Sequence, residues 1–249
     1  MNDEIKKIIH IFIIIFITVL IVTIIALLIL KYNVEGENNM PFELSKIMVV
    51  SSAEGQENNE IKNEAKWNLK LFQNNDIYLE ISKNKNYNQT EIIDEIIIDN
   101  FNTDEATKIG KIKLYKPTNN EEKIYENSQE NEITDKLIYK GNENSSIKNL
   151  EIANQGGLVL FRYSIEDIGN IISDDDEIKH DGTILAKNNI NYEDIKFKVS
   201  FDVSIKLKND VTYTGNINLN LPAGNIINDG ISHYEITNLK NIIFKRNLR

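Results

Sequence analysis

The chain opens with a dense apolar run from Ile8 to Leu30, in which only His10, Thr18 and Thr23 are polar, and then switches to a two-residue rhythm. At about 1.5 Å per residue the run makes a helix of roughly 34 Å, enough to cross a hydrocarbon core of about 30 Å. A cleaved signal peptide would carry a shorter apolar region, about 7–15 residues, ending at a small-x-small site. The exit here reads Ala26-Leu-Leu-Ile-Leu-Lys31-Tyr32-Asn33 and offers no such site. The pattern therefore predicts an uncleaved transmembrane signal-anchor over 8–30. Lys6 and Lys7 precede it and Lys31 alone follows closely. By the positive-inside rule residues 1–7 are cytoplasmic and the remainder lies outside the cell membrane. His10, one turn inside the span and without a carboxylate beside it in sequence, reads as a tolerated interfacial residue.

Past a tether at 31–44, alternation of apolar and polar positions predicts half-buried strands. Lys46–Ser51 is a short one. Trp67, Leu69 and Leu71 then share a face, Asn74-Asn75-Asp76 reads as a turn, and Ile77, Leu79 and Ile81 form the return strand. Strands are also expected at 92–101 and 111–115. The clearest signal is a hairpin over 195–221. Phe197, Val199, Phe201, Val203, Ile205 and Leu207 alternate with polar residues, Asn209-Asp210 turns, and Tyr213, Gly215, Ile217, Leu219 and Leu221 return on the same face. A one-residue slip would invert that set, so the register is fixed. Pro222 ends the second strand because it has no N–H to donate. Ile165, Ile168, Ile171 and Ile172 are spaced for one short helix over 164–172, and a shorter turn is expected over 183–188.

The fold class expected is mainly β: a transmembrane helix followed by one or two antiparallel, immunoglobulin-like β-sandwich domains with one or two short helices. The polar stretch 117–135, with Asn119-Asn120-Glu121-Glu122 and Gln129-Glu130-Asn131-Glu132, is long enough to divide them into 45–116 and 136–249.

Charge alters this picture in one respect. Asp3 and Glu4 balance Lys6 and Lys7, so the formal charge of −10 belongs to the body after residue 30. A field of that sign disfavours nucleic acid and suits basic partners or divalent cations. No cysteine is present, which excludes disulfides, thiolate metal sites and thiol nucleophiles. Ile and Asn supply roughly a third of the chain and Lys outnumbers Arg about eightfold, as in AT-rich genomes.

Candidate chemistry is sparse. Only His180 and His233 lie outside the apolar run, and there is no Gly-x-Ser-x-Gly elbow, phosphate-cradling Gly loop or His-Glu-x-x-His. No enzyme activity, catalytic residue or cofactor is expected. Ser173-Asp174-Asp175-Asp176-Glu177, followed by His180 and Asp181-Gly182, gathers hard oxygens that repel one another and would accept Ca²⁺. Asp174, Asp176, Glu177 and Asp181 are the candidate ligands, although the EF-hand spacing is not met. Arg162, the only Arg before the last four residues, sits among Leu158 and Leu160 and is expected to snorkel or to pair with a carboxylate from the acidic loop at 173–182. The outward row Asn216, Asn218 and Asn220 is a candidate interaction face, and Trp67 is expected in a core.

Asn154-Gln-Gly-Gly-Leu-Val-Leu-Phe-Arg-Tyr163, Ser173-Asp-Asp-Asp-Glu-Ile-Lys-His-Asp-Gly182, Asn220-Leu-Pro222 and Ile243-Phe-Lys-Arg246 resemble stretches of single-pass proteins of low-GC Gram-positive bacteria that have no assigned activity. The resemblance implies a bacterial cell-surface setting and no chemistry. The expectation is a bitopic envelope protein that contacts the bilayer through 8–30 and another protein or envelope component through its body. The alternative is a Ca²⁺- or small-ligand-binding surface receptor using 173–182.

Overall fold

A computed structural model of the chain describes residues 3–35, 40–58, 65–88, 90–175, 177 and 184–247. The apolar run lies in a single 33-residue helix, α1 (Asp3–Glu35), whose span Ile9–Leu28 is not buried against the rest of the protein. Its two threonines are internally satisfied: the hydroxyls of Thr18 and Thr23 donate to the carbonyls of Ile14 and Val19, each at 2.8 Å. That back-bonding removes the cost of a hydroxyl in an apolar span. The helix continues through Lys31, Tyr32 and Asn33 to Glu35 and the first strand begins at Phe42, so the tether is shorter than 31–44.

Among the described residues twelve strands follow: β1 (Phe42–Glu57), β2 (Trp67–Lys83), β3 (Ile93–Glu105), β4 (Lys111–Tyr115), β5 (Leu137–Asn142), β6 (Glu151–Ala153), β7 (Gly157–Glu166), β8 (Asn170–Ser173), β9 (Phe197–Leu207), β10 (Thr212–Leu221), β11 (Ile231–Ile236) and β12 (Lys245–Arg246). They form two sheets. The first runs β11-β1-β2-β7-β4 with β8 beside the start of β2, and the second runs β12-β10-β9-β3-β5-β6. The pairings are antiparallel except β5 with β6. Apolar faces of the two sheets meet: the Phe161 ring on β7 lies 5.6 Å from Phe101 on β3 and 5.1 Å from Phe201 on β9. Tyr163 lies 6.1 Å from Phe197, and one continuous core extends from Met40 to Phe244.

The 195–221 hairpin has the expected register, with Phe197 opposite Leu221 and Ile205 opposite Tyr213. Its expected inner residues are buried, and Asp210 takes the left-handed conformation at the turn (φ 65°).

Three expectations fail. The division at 117–135 does not separate two domains, because β1, β2 and β4 share a sheet with β7, β8 and β11, while β3 lies between β9 and β5. Residues 116–135 instead fold back on β4, with the Lys116 amide donating to Asn131 and the Ile133 amide to Leu114. Second, Asn74-Asn75-Asp76 is not a turn: β2 passes straight through it, paired with β1 on one side and β7 on the other. Third, 164–172 is not a helix. Ile165 ends inside β7, Asp167 turns the chain with φ 58°, and Ile171 and Ile172 lie in β8. Ile165, Ile168 and Ile171 reach the core without a helix, because β-branched residues pack well on pleated surfaces, while Ile172 faces outward. The two short helices are α2 (Tyr192–Ile195) and α3 (Ile226–Asp229), and Ala186–Asn188 forms a single 3₁₀ turn.

Candidate functional site

Strand alternation divides β7 into two faces. Val159, Phe161, Tyr163 and Ile165 enter the core, so Leu158, Leu160, Arg162, Ser164 and Glu166 lie on the opposite, outer face of the first sheet. In the paired register Arg162 stands opposite Asp76, Ser164 opposite Asn74 and Leu160 opposite Tyr78. The outer face is therefore polar at its centre, where two long strands are hydrogen-bonded on both sides. The segment 116–135 covers it, placing the Tyr125 ring 4.5 Å from the Arg162 guanidinium.

Arg162 is 8% exposed and is held in a fork: its Nε donates to Asp76 Oδ1 at 2.6 Å and its Nη2 to Asp76 Oδ2 at 3.1 Å. Glu54 Oε1 is 3.8 Å from the same Nη2. Burial works against the guanidinium charge, but Asp76 and then Glu54 outweigh it and raise the Arg162 pKa. On Asp76 the balance is reversed. Burial, the largest influence, raises its carboxyl above the ordinary 3.8, and the Arg162 hydrogen bond and charge only partly oppose it. The ion pair is thus a desolvated one, carrying more negative than positive charge in its immediate surroundings.

A second rank of polar groups lies beside it. Asn127 donates to Ser164 Oγ at 2.9 Å, and Ser164 donates to Asn74 Oδ1 at 2.7 Å. Asn74 Nδ2, Asn127 Oδ1 and the Tyr125 hydroxyl are buried without a hydrogen-bond partner. Further along, the Tyr115 hydroxyl donates to the buried Glu166 at 2.6 Å, and Lys113 bridges Glu166 and Glu132 at 3.6 and 3.3 Å. Burial, then the Glu166 carboxylate, pushes the Tyr115 phenol well up. Toward the core, Ser51 donates to Asn75 Oδ1 at 2.6 Å and accepts from the Ala223 amide at 2.7 Å.

An open groove of about 690 Å³ leads from solvent to this cluster and includes Glu54, Asp76, Lys123, Tyr125, Glu126 and Arg162 in its walls. A second groove of about 640 Å³, walled in part by Lys46, Met48, Tyr78, Glu80 and Leu158, lies further along the same strands. Between them, Tyr115, Tyr125 and Leu160 form an apolar ridge with Tyr78 and Ile147 packed against it. Among the described residues, three carboxylates face two cations in the first groove, which suits it to a basic group that adds a positive charge near Glu54 and Glu126.

The residues singled out from sequence fall at three separate places. Arg162 lies at the centre of the outer face, and the carboxylates it meets are Asp76 and Glu54. Asn216, Asn218 and Asn220 are exposed on the other sheet, where Asn218 donates to Asn216 Oδ1 (2.9 Å) and Asn216 to Asp202 (2.8 Å). Asp174 and Glu177 are exposed, with Asp174 Oδ1 accepting from the Lys66 amide at 3.1 Å. Asp176, His180 and Asp181 lie outside the described residues. Among the described residues no group of three metal-ligating side chains occurs. Trp67 is only half-buried at the end of β2, its indole N–H donating to the Asp175 carbonyl at 2.9 Å.

Asp76, Glu54, Tyr125, Asn74 and Asn127 were not singled out. Asp76 and Asn74 were hidden by the turn reading of 74–76, and Tyr125 and Asn127 by the linker reading. One sequence signal did exist: Leu69, Leu71, Ile77, Leu79 and Ile81 are all odd-numbered, so the apolar phase runs uninterrupted across the polar stretch. Comparison of the chain with family models, curated proteins and solved structures gives no match.

Proposed function

We propose that this chain is a single-pass membrane protein with a cytoplasmic N-terminus, and that its body is an immunoglobulin-like β-sandwich displayed outside the cell as a non-enzymatic binding module. The partner is a protein or envelope component presenting a basic segment to the outer face of the first sheet. The observation that carries this reading is the groove in which Glu54, Asp76 and Glu126 outnumber Arg162 and Lys123 beside a desolvated ion pair. A lysine or arginine entering there gains two carboxylates at the rim while the Arg162 fork stays in place. The exposed run of Asp174, Asp175 and Glu177 supports the second reading, a Ca²⁺-binding surface receptor.

The test uses the full chain in membranes of its own cell type, isolated by affinity capture after mild crosslinking. Wild type should retain a partner that Glu54→Lys/Glu126→Lys loses and Asn216→Ser/Asn218→Ser keeps. Retention by the charge-reversed variant would remove the groove from the interface. For the second reading, titration calorimetry of the full chain with Ca²⁺ decides: a saturable heat supports it, and a flat trace sinks it.

A further inference from the structure

One segment of the body is purely basic. From Thr237 to Arg249 the sequence carries Lys240, Lys245, Arg246 and Arg249 and no Asp or Glu. Asp174, Asp175 and Glu177 follow β8 at the opposite end of β2. β2 fixes the two positions: Lys83 pairs with Phe42, where the chain arrives from α1, and Trp67 pairs with Ser173. Those pairings stand at the two ends of the 17-residue β2, about 50 Å apart at 3.3 Å per residue.

The basic segment also lies nearest the anchor. Met40 and Phe244 face a common groove of about 400 Å³ with Leu239, Lys240 and Ile243, and β12 passes beside α1. A helix of 33 residues measures about 50 Å, against roughly 40–45 Å for a bilayer with its headgroups. Glu35 therefore emerges at the membrane surface. Met40 is five residues further on, at most about 18 Å away even if the chain is fully extended. Within this base Phe244 is 7% exposed, its ring filling the space where Gly215 has no side chain. Neighbouring Ile243 is turned outward at 56% exposure, with Lys240, Lys245 and Arg246 also exposed.

We propose that this base seats on the anionic phospholipid headgroups of the bilayer crossed by α1, with Lys240, Lys245 and Arg246 on the phosphates and Ile243 at the acyl boundary. An apolar side chain flanked by cations is the composition that partitions into a membrane interface. Glu43 is the one carboxylate in the walls of the basal groove among the described residues. Seating there stands the body upright, with the exposed Asp174, Asp175 and Glu177 at the end of β2 away from the lipid. The inference rests on the membrane-anchored reading.

The chain has no cysteine, so single-cysteine probes can be placed without background. Ile243→Cys reports the base and Ile172→Cys, at 57% exposure, the far end; Val19→Cys reports the anchor. Each full-length variant, labelled with an environment-sensitive fluorophore, is reconstituted into nanodiscs of phosphatidylcholine with or without phosphatidylglycerol and headgroup-proximal spin-labelled lipid. The label at position 243 should shift blue and be quenched in anionic discs and lose this in high salt, while the label at position 172 shows no such change. Replacing Lys240, Lys245 and Arg246 by Gln should reduce the ratio of docked to free base about fivefold per charge. Equal behaviour of the labels at positions 243 and 172, or indifference to lipid charge, overturns the proposal while leaving the anchor intact. In parallel discs whose lipid is spin-labelled near the end of the acyl chain, an unquenched label at position 19 overturns the anchored reading, and the seating with it.

Discussion

Replacing Arg162 by Met removes the guanidinium from the fork while keeping a side chain of similar length. Asp76 is then left with 17% side-chain exposure, without the charge that repays its desolvation, and Tyr125 loses the cation 4.5 Å from its ring. Removing one partner of a buried pair costs about 3–5 kcal/mol, because the survivor stays desolvated. For a body of this size that is a fall in Tm of about 6–20 °C. The companion variant Arg162→Met/Asp76→Leu leaves no uncompensated charge, and apolar replacement of whole buried pairs is often neutral or stabilising. It should therefore regain most of the loss. Thermal and urea unfolding of the full chain in micelles, followed by the near-ultraviolet circular dichroism of its 10 tyrosines, measures both variants. If Arg162→Met costs less than about 1 kcal/mol, or the double variant falls as far as the single one, the pair is solvated and the description of the site is wrong.

Other outcomes follow from the same geometry. The Asp76 carboxyl is raised above 3.8 by burial, so its stability contribution is complete below that pH and is lost as pH rises through the raised value. Asp76→Asn should flatten that part of the stability-versus-pH curve, and a curve parallel to wild type would contradict the assignment. Tyr125→Phe removes a buried hydroxyl without a partner and keeps the ring over Arg162, so the urea midpoint should hold or rise; a loss above about 1 kcal/mol would expose a missing hydrogen bond. In β5, a Cβ on Gly141 would run into the Ile93 carbonyl, and Gly141→Ala should cost about 1–3 kcal/mol by separating β5 from β3. An unchanged midpoint would mean the two strands are free to part. Glu54→Lys/Glu126→Lys reverses an exposed charge and a half-buried one 3.8 Å from Arg162, so Tm should fall by less than Arg162→Met; a fall as large would mean that Glu54 itself holds the fork together.

What could be read from the chain depended on whether local pattern or tertiary context decided the outcome. The 195–221 hairpin was legible because eleven alternating inner positions all point one way and a turn of Asn209 and Asp210 joins them. The apolar helix was legible from length alone, though not its extension to Glu35. The 164–172 segment misled because isoleucines at helical spacing also serve a strand, a tight turn at Asp167 and a second strand. Gln73 to Asp76 misled more deeply. Amide and carboxylate side chains normally mark turns, but here Gln73 bonds Asn75, Asn75 meets Ser51, and Asp76 meets Arg162. Those partners lie from 2 to 86 residues away, and local propensity carries no record of the distant ones. The segment 117–135 was polar enough to pass for a linker, and only Tyr125 and Ile133 within it hinted that it covers a surface.

The groove beside Arg162 as the docking surface is tested most directly by photo-crosslinking in intact cells. A photoreactive amino acid is placed at Lys123, in the groove wall, and separately at Asn218 on the opposite sheet. A discrete adduct from position 123 that disappears in Glu54→Lys/Glu126→Lys, with none from position 218, is the predicted result. An adduct at position 218 alone, or one at position 123 that survives charge reversal, would contradict it.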